Sequence, residues 1–248
     1  MREQLKRVPG LVPAVRSARE ARLSARRRLE DARFVASRAR RGRRIDAYLR
    51  AHAVRKLQLG TGSNPYEGWL NTDIEDYKRE NRVVYLDVRK PFPLPDASFD
   101  LIFSEHVIEH ITYTEGLSCL RECYRILRPG GRLRIATPSL RRLARLYDED
   151  LTDLQRRYTS WSVDVFVEDA DVPLPGFVVN NMLRNFGHQF VYDEQTLRHA
   201  LETAGFVDVK EWPVGQSDEP ALTGLERHMR SAAEFNAYET LVLEARKR

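Results

Sequence analysis

The 248-residue sequence predicts an α/β fold built on an open, mostly parallel sheet. Three observations lead there. From Val54 onward, short runs rich in β-branched and aromatic residues alternate with segments of helical period. A glycine-bearing turn follows the first such run, and acidic residues end the next two. Finally, "RPGG" closes a helical pattern and passes the chain to another strand-like run.

Taken in order, "VRKLQLG" reads as a buried strand entering "GTGSNP", a turn made by Gly60, Gly62, Asn64 and Pro65. Glycines placed directly after a strand let the backbone approach a ligand closely, although many such pairs are simply turns. A P-loop is excluded because no Gly-Lys-Ser/Thr follows. A dinucleotide fingerprint is disfavoured, since Pro65 stands where a third small residue belongs and Asp73, in "GWLNTDIE", comes only 13 positions after Gly60. Asp87 ends the β-rich run "RVVYLD", and a Pro-rich loop leads to the strand "FDLIFS". A helical pattern with Leu117, Leu120, Tyr124 and Leu127 on one face then reaches "RPGG" and the strand "RLRIATP". Gly60 and Gly62, Asp73, Asp87 and Ser104-Glu105-His106 therefore fall at the C-terminal ends of successive strands, the edge where open α/β sheets bind ligands.

Hydrophobic content of 42% and charged content of 31% are those of a soluble globular chain. No apolar run is long enough to cross a bilayer, and the N-terminus lacks the apolar core of a secretory signal. Cys119 and Cys123 lie one helical turn apart, poor ground for a structural disulfide, so reduced thiols and a cytoplasmic location are expected. Charge is unevenly spread. Residues 1–56 hold 18 Lys and Arg against 5 Asp and Glu, a balance of +13, while the remainder carries −8. The chain divides into a basic helical extension, 1–53, and an acidic body, 54–248.

In the extension, Val15, Ala18, Ala21, Ala25, Leu29, Ala32, Ala36 and Ala39 trace a narrow stripe on one helix face, and arginine dominates the others. So thin a stripe buries little area, which favours docking on the acidic body or on a second copy in a homo-oligomer. The sharper reading is peripheral contact of residues 13–50 with an anionic membrane. Nucleic acid is disfavoured, because no recognition motif with interleaved aromatics accompanies the charge.

Together, "LQLGTGSNPYEGWLNTDIE", "VVYLDVRKPFPLPDASFDLIFSEHVIEHI" and "ECYRILRPGGRLRIATPS" resemble the successive motifs of class I S-adenosylmethionine-dependent methyltransferases, most of all the methyltransferase-11-like subgroup. The resemblance runs from about Val54 to Ser139 and resumes at "FGHQFVYDEQTLRHALETAGFVDVKEW" and "ETLVLEARK". It implies a Rossmann-like sheet of seven strands with S-adenosyl-L-methionine as cofactor. Gly60, Thr61 and Gly62 would pass beneath the methionine part, Asp73 would take both ribose hydroxyls, and Asp87 with Val88 would face the adenine. Ser104 and Glu105 would lie near the reacting end. Gln58 departs from the pattern, standing where the family often carries an acid.

"SEHVIEHI" contains His106-x-x-Glu109-His110, the inverted zinc signature of some metalloproteases. That reading needs a helix and a further ligand downstream, whereas this stretch begins at a strand end among motifs already accounted for, so no metal ligand is assigned. His106, Glu109 and His110 remain as pocket wall or catalytic base, since a hydroxyl acceptor must lose a proton. Glu105 and Glu109 also leave room for a divalent cation.

Residues 140–187 are the expected acceptor-side insertion. Trp161, Phe177, Phe186, Asn180, Asn181 and Arg184 would suit a polar, ring-shaped small molecule or glycan. His188 is a second candidate base, and Asp193 is expected to cap a helix that Gly205 ends. The chain lacks the Asn/Asp-Pro-Pro-Tyr motif of exocyclic-amine methyltransferases, which points to oxygen as the accepting atom and, with the subgroup's habits, to a saccharide hydroxyl. The rival acceptor is lipid or quinone-like, met at a membrane. A non-catalytic scaffold binding an anionic partner through the arm is the alternative outside enzymes.

Overall fold

The computed structural model describes residues 35, 38–75, 82–228 and 232–248, so most of the arm's stripe lies outside the described residues. Seven strands form one sheet in the order β3-β2-β1-β4-β5-β7-β6. They are β1 (Lys56–Leu59), β2 (Leu70–Asp73), β3 (Val84–Tyr85), β4 (Phe99–Glu105), β5 (Leu127–Pro138), β6 (Val207–Glu211) and β7 (Thr240–Arg246). The first five run parallel, and β7 lies antiparallel between β5 and β6. The strand-like runs of the sequence fall in strands, except that β5 already opens at Leu127 and takes in the "RPGG" expected to close a helix, and no helix separates β1 from β2, which is why Asp73 follows Gly60 so soon.

Helix α1 covers residues 38–51. It is docked on the body: Ile45 enters the main core, Arg44 Nη1 donates to the Val83 carbonyl at 2.6 Å, and Tyr48 stacks on His52. Helix α2 (Tyr113–Ile126) opens with a capping box between Thr112 and Glu115. Its buried face is Gly116, Cys119, Leu120, Cys123 and Ile126, rotated from the expected Leu117–Tyr124 stripe. Small side chains let the helix sit close: a β-carbon on Gly116 would stand 2.5 Å from the Tyr192 hydroxyl. Both cysteines are free and buried there. Helix α6 (Glu194–Thr203) begins on Asp193, whose Oδ1 accepts from Thr196 N at 2.7 Å, and Gly205 follows its end with φ +104°.

Strand alternation sorts the core onto two faces. Leu57, Leu59 and Ile102 join α1, α2 and α6 in the main core, while Leu101 and Phe103 pack on the other side with Tyr66, Trp69, Leu222 and Leu225. A third cluster is the insertion's own. Leu143 of α3 (Leu140–Ala144), Tyr158 and Val163 of α4 (Asp153–Phe166) and Val178 and Met182 of α5 (Pro175–Arg184) enclose it with Phe235 of α7 (Ala233–Glu239). Among the described residues no helix is long and apolar enough to cross a membrane.

Candidate active site

The strand register gathers the chemistry at one edge. Leu59 pairs with Thr72 and Ser104, and Glu105 pairs with Ala136. Because β7 runs the other way, its first residue, Thr240, pairs with Pro138 at the same edge, and Glu239 arrives beside it. Two cavities open here, of about 290 and 400 Å³, and both are bordered by His106 and His110.

The smaller cavity lies over the glycine turn and is walled by Asp73, Leu86, Asp87, Val88, Arg89, Val107 and Ile111. Gly60 has φ +59°, and a β-carbon there would stand 2.2 Å from Val107 Cγ2, so this glycine makes room for the protein's own side chain. Gly62, at φ +51°, has open space where a β-carbon would point and faces the cavity. Asp73 is preset at the rim: Oδ2 accepts from Gly62 N at 2.9 Å and Oδ1 from Glu75 N at 3.1 Å. Asp87 accepts from Arg89 Nε at 2.9 Å and Nη2 at 3.0 Å, and that side-chain bonding holds its carboxyl below the usual range despite burial.

The larger cavity has Tyr158, Phe166, Met182 and Phe186 as apolar walls, with His106, His110, His188, His228 and Glu239 at its polar end. His106 has φ +50°, a left-handed backbone that non-glycine residues seldom adopt. Its Nδ1 lies 2.8 Å from Glu109 Oε1, and Glu109 Oε2 accepts from Thr137 Oγ1 at 3.0 Å. Burial disfavours charge on both partners, yet their mutual bond and opposite charge prevail, so His106 is raised and Glu109 lowered from their ordinary values. His188 Nδ1 is 2.6 Å from the Met182 carbonyl oxygen and therefore carries the proton, which leaves Nε2 as acceptor. Burial lowers its pKa. Glu239 is buried, accepts from the Tyr158 hydroxyl at 2.6 Å, and is raised by desolvation.

Residues 47–135 match the family model described as a methyltransferase domain. Over those residues the chain is similar to methyltransferases of the methyltransferase-11 type. Over 47 residues the chain is 45% identical to a protein of Mycolicibacterium smegmatis described as a "probable S-adenosylmethionine-dependent methyltransferase", covering 19% of this chain and 18% of that one. Among solved structures, a methyltransferase from Mesorhizobium loti is 18% identical, with 80% of this chain and 95% of that one covered at a TM-score of 0.48. A phosphoethanolamine N-methyltransferase 2 from Haemonchus contortus is 14% identical, with 83% of this chain covered at a TM-score of 0.39. The chain spans about half (52%) of that protein's length.

In the matched region, Gly60, Gly62, Asp73, Asp87 and Val88 border the smaller cavity, and His106 and His110 border both. Three residues expected near the cofactor do not border the smaller cavity. The Thr61 hydroxyl donates to Gln58 Oε1 at 2.8 Å, Ser104 is buried in β4, and Glu105 Oε1 accepts the Arg227 and His228 amides at 2.8 and 2.9 Å. Gln58 also donates to the Asn64 carbonyl at 3.2 Å, so its amide braces the turn. Glu109 supports His106 and does not line either cavity. The inverted zinc signature is not formed, because residues 108–110 make only a 3-10 turn and His106 and His110 belong to different ligand groupings. From the insertion, Phe186 and Asn181 line the larger cavity, whereas Phe177, Asn180 and Arg184 line a neighbouring groove and Trp161 packs in the insertion's core. Sequence reading missed Arg89, Tyr158, His228 and Glu239. Glu239 had a detectable signal, an acid directly before a strand whose reversed direction starts at the binding edge.

Proposed function

We propose that the protein binds S-adenosylmethionine in the smaller cavity and methylates a hydroxyl of a ring-shaped acceptor, a saccharide or glycan unit, in the larger one. The observation that carries this reading is the meeting of the two cavities at His106 and His110. The residues suit the cofactor: open space over Gly62 admits a ligand against the backbone, the Asp73 carboxylate stands at a strand end, and Leu86, Val88 and Ile111 supply an apolar wall. When bound, its sulfonium supplies the methyl group: the acceptor oxygen bonds to that carbon as the carbon–sulfur bond breaks, and the electron pair stays on sulfur. The chain's share is alignment and proton removal. Phe166 and Phe186 offer flat faces to a ring, and His188 Nε2 takes the hydroxyl proton.

Calorimetry with S-adenosylhomocysteine tests the cofactor assignment. One-to-one binding is expected, weakened at least tenfold, about 1.4 kcal/mol, in Asp73→Ala. No binding by the wild type would overturn the reading and leave a scaffold that acts through its basic arm.

A second reading, a lipid or quinone-like acceptor met at a membrane, is favoured by one observation. The insertion exposes Leu174, Phe177 and Phe186 around the mouth and the neighbouring groove.

A further inference from the structure

We propose that His106, His228 and Glu239 form a binding site for a divalent transition-metal ion, zinc or a close analogue, at the polar end of the larger cavity. One ligand atom from each lies within 4.8 Å of the others. They come from the residue after β4, the segment before α7 and the last residue of α7, so the tertiary fold alone brings them together.

Each group is held by the atom it does not need for a metal. His106 Nδ1 is bonded to Glu109, itself fixed by Thr137, and Nε2 is enclosed without a hydrogen-bond partner among the described residues. A carboxylate behind one imidazole nitrogen, with the other nitrogen left for the ion, is the usual support of a metal-bound histidine. Glu239 receives the Tyr158 hydroxyl on Oε2, and Glu105 pins the backbone amide of His228. His106 also keeps its left-handed backbone, which aims the ring at the cavity rather than relaxing away.

Two imidazoles and one carboxylate form a donor set that suits zinc and leaves a fourth position open. All three residues line the larger cavity, so that position faces the acceptor. Metal–ligand bonds of about 2.0–2.1 Å in a tetrahedron place ligand atoms about 3.3 Å apart, so the three groups close in from the observed spacing when the ion binds. The other grouping, Glu109 with His110 and His188, is the weaker candidate. Both Glu109 oxygens already have partners, and the Nδ1 of His188 is committed to Met182. An ion at the first site holds the acceptor oxygen and favours loss of its proton. That role rests on the proposed methyl transfer, whereas the binding of the ion does not.

The test uses the full chain, stripped with chelator and titrated with Co²⁺ while its visible d–d absorption is followed, then competed with Zn²⁺. S-adenosylhomocysteine binding is measured on the same samples. The expected result is one Co²⁺ per chain, displaced by Zn²⁺. Affinity should fall at least tenfold in His228→Ala and in Glu239→Gln, and about 10–100-fold in Glu109→Gln, which touches only the support. None of these three residues lines the smaller cavity, so retained S-adenosylhomocysteine binding certifies a folded variant. Absence of saturable Co²⁺ binding by the wild type, or equal affinity in a folded His228→Ala, overturns the proposal. Cobalt binding without S-adenosylhomocysteine binding would sustain the metal site and sink the methyltransferase reading, and the converse would do the opposite.

Discussion

Gly60 and Gly62 share a turn and a positive φ, but they serve different masters: the first yields space to Val107, the second to the cavity. Sequence alone shows two glycines after a strand and cannot divide these duties, because the intruding side chain is 47 positions away. His188 illustrates the same limit in electrostatic form. Burial lowers its pKa below the free value of 6.5, so the neutral form persists in the fold at pH values where an unfolded chain takes a proton. Its contribution to stability is therefore present above pH 6.5 and is lost as pH falls through the range between the unfolded and folded values. For catalysis the sign is favourable. We expect the acid limb of the methyl-transfer rate to lie below 6.5, and His188→Gln to lose that limb together with roughly 10²–10⁴-fold of kcat. An unchanged limb in the variant would remove His188 as the base.

At the level of elements, β5 shows how a polar side chain can bind separate segments. Arg134 is fully buried, with Nε 2.6 Å from Glu226 and Nη1 2.5 Å from Glu244 and 2.9 Å from the Gln216 carbonyl. It ties β5 to β7 and to the loop that carries His228. Arg134→Met removes the guanidinium from two buried carboxylates, leaving Glu244 only Arg132 at 3.7 Å and Glu226 the Gly215 amide, and removing one side of a buried ionic network costs about 3–5 kcal/mol. Urea denaturation should register that loss, and a change under 1 kcal/mol would mean that the network reorganises around the gap. The strands around it were legible because each is a short, apolar, β-rich run ended by turn residues. The buried face of α2 was not, since Gly116, Cys119 and Cys123 face inward for close approach rather than for hydrophobic bulk.

The whole molecule joins a basic N-terminal segment to an acidic body. Residues 1–34 hold ten basic and four acidic side chains and lie outside the described residues. If the membrane reading holds, the full chain will float with anionic vesicles and be released by salt, because each Lys or Arg near such a surface contributes about 1 kcal/mol that ions screen. Removing residues 1–34 should abolish flotation while preserving S-adenosylhomocysteine binding. The cut must stop before α1, whose Ile45 and Arg44 belong to the body's packing. Failure of the full chain to float would leave the saccharide reading alone.

By itself the sequence determined the α/β class, the strand positions, the glycine turn, the two strand-end acids and the methyltransferase-11 resemblance. These are local facts, written in periodicity, in turn residues and in motifs a few positions long. Only the tertiary structure decided that Thr61 and Glu105 brace their surroundings, that Arg89 engages Asp87, and that His106, His228 and Glu239 converge. The physical reason is chain direction and distance. β7 runs antiparallel to its neighbours and starts at that edge, so Glu239, the last residue of α7, returns beside Pro138 across 100 intervening residues, and no local pattern encodes such a return.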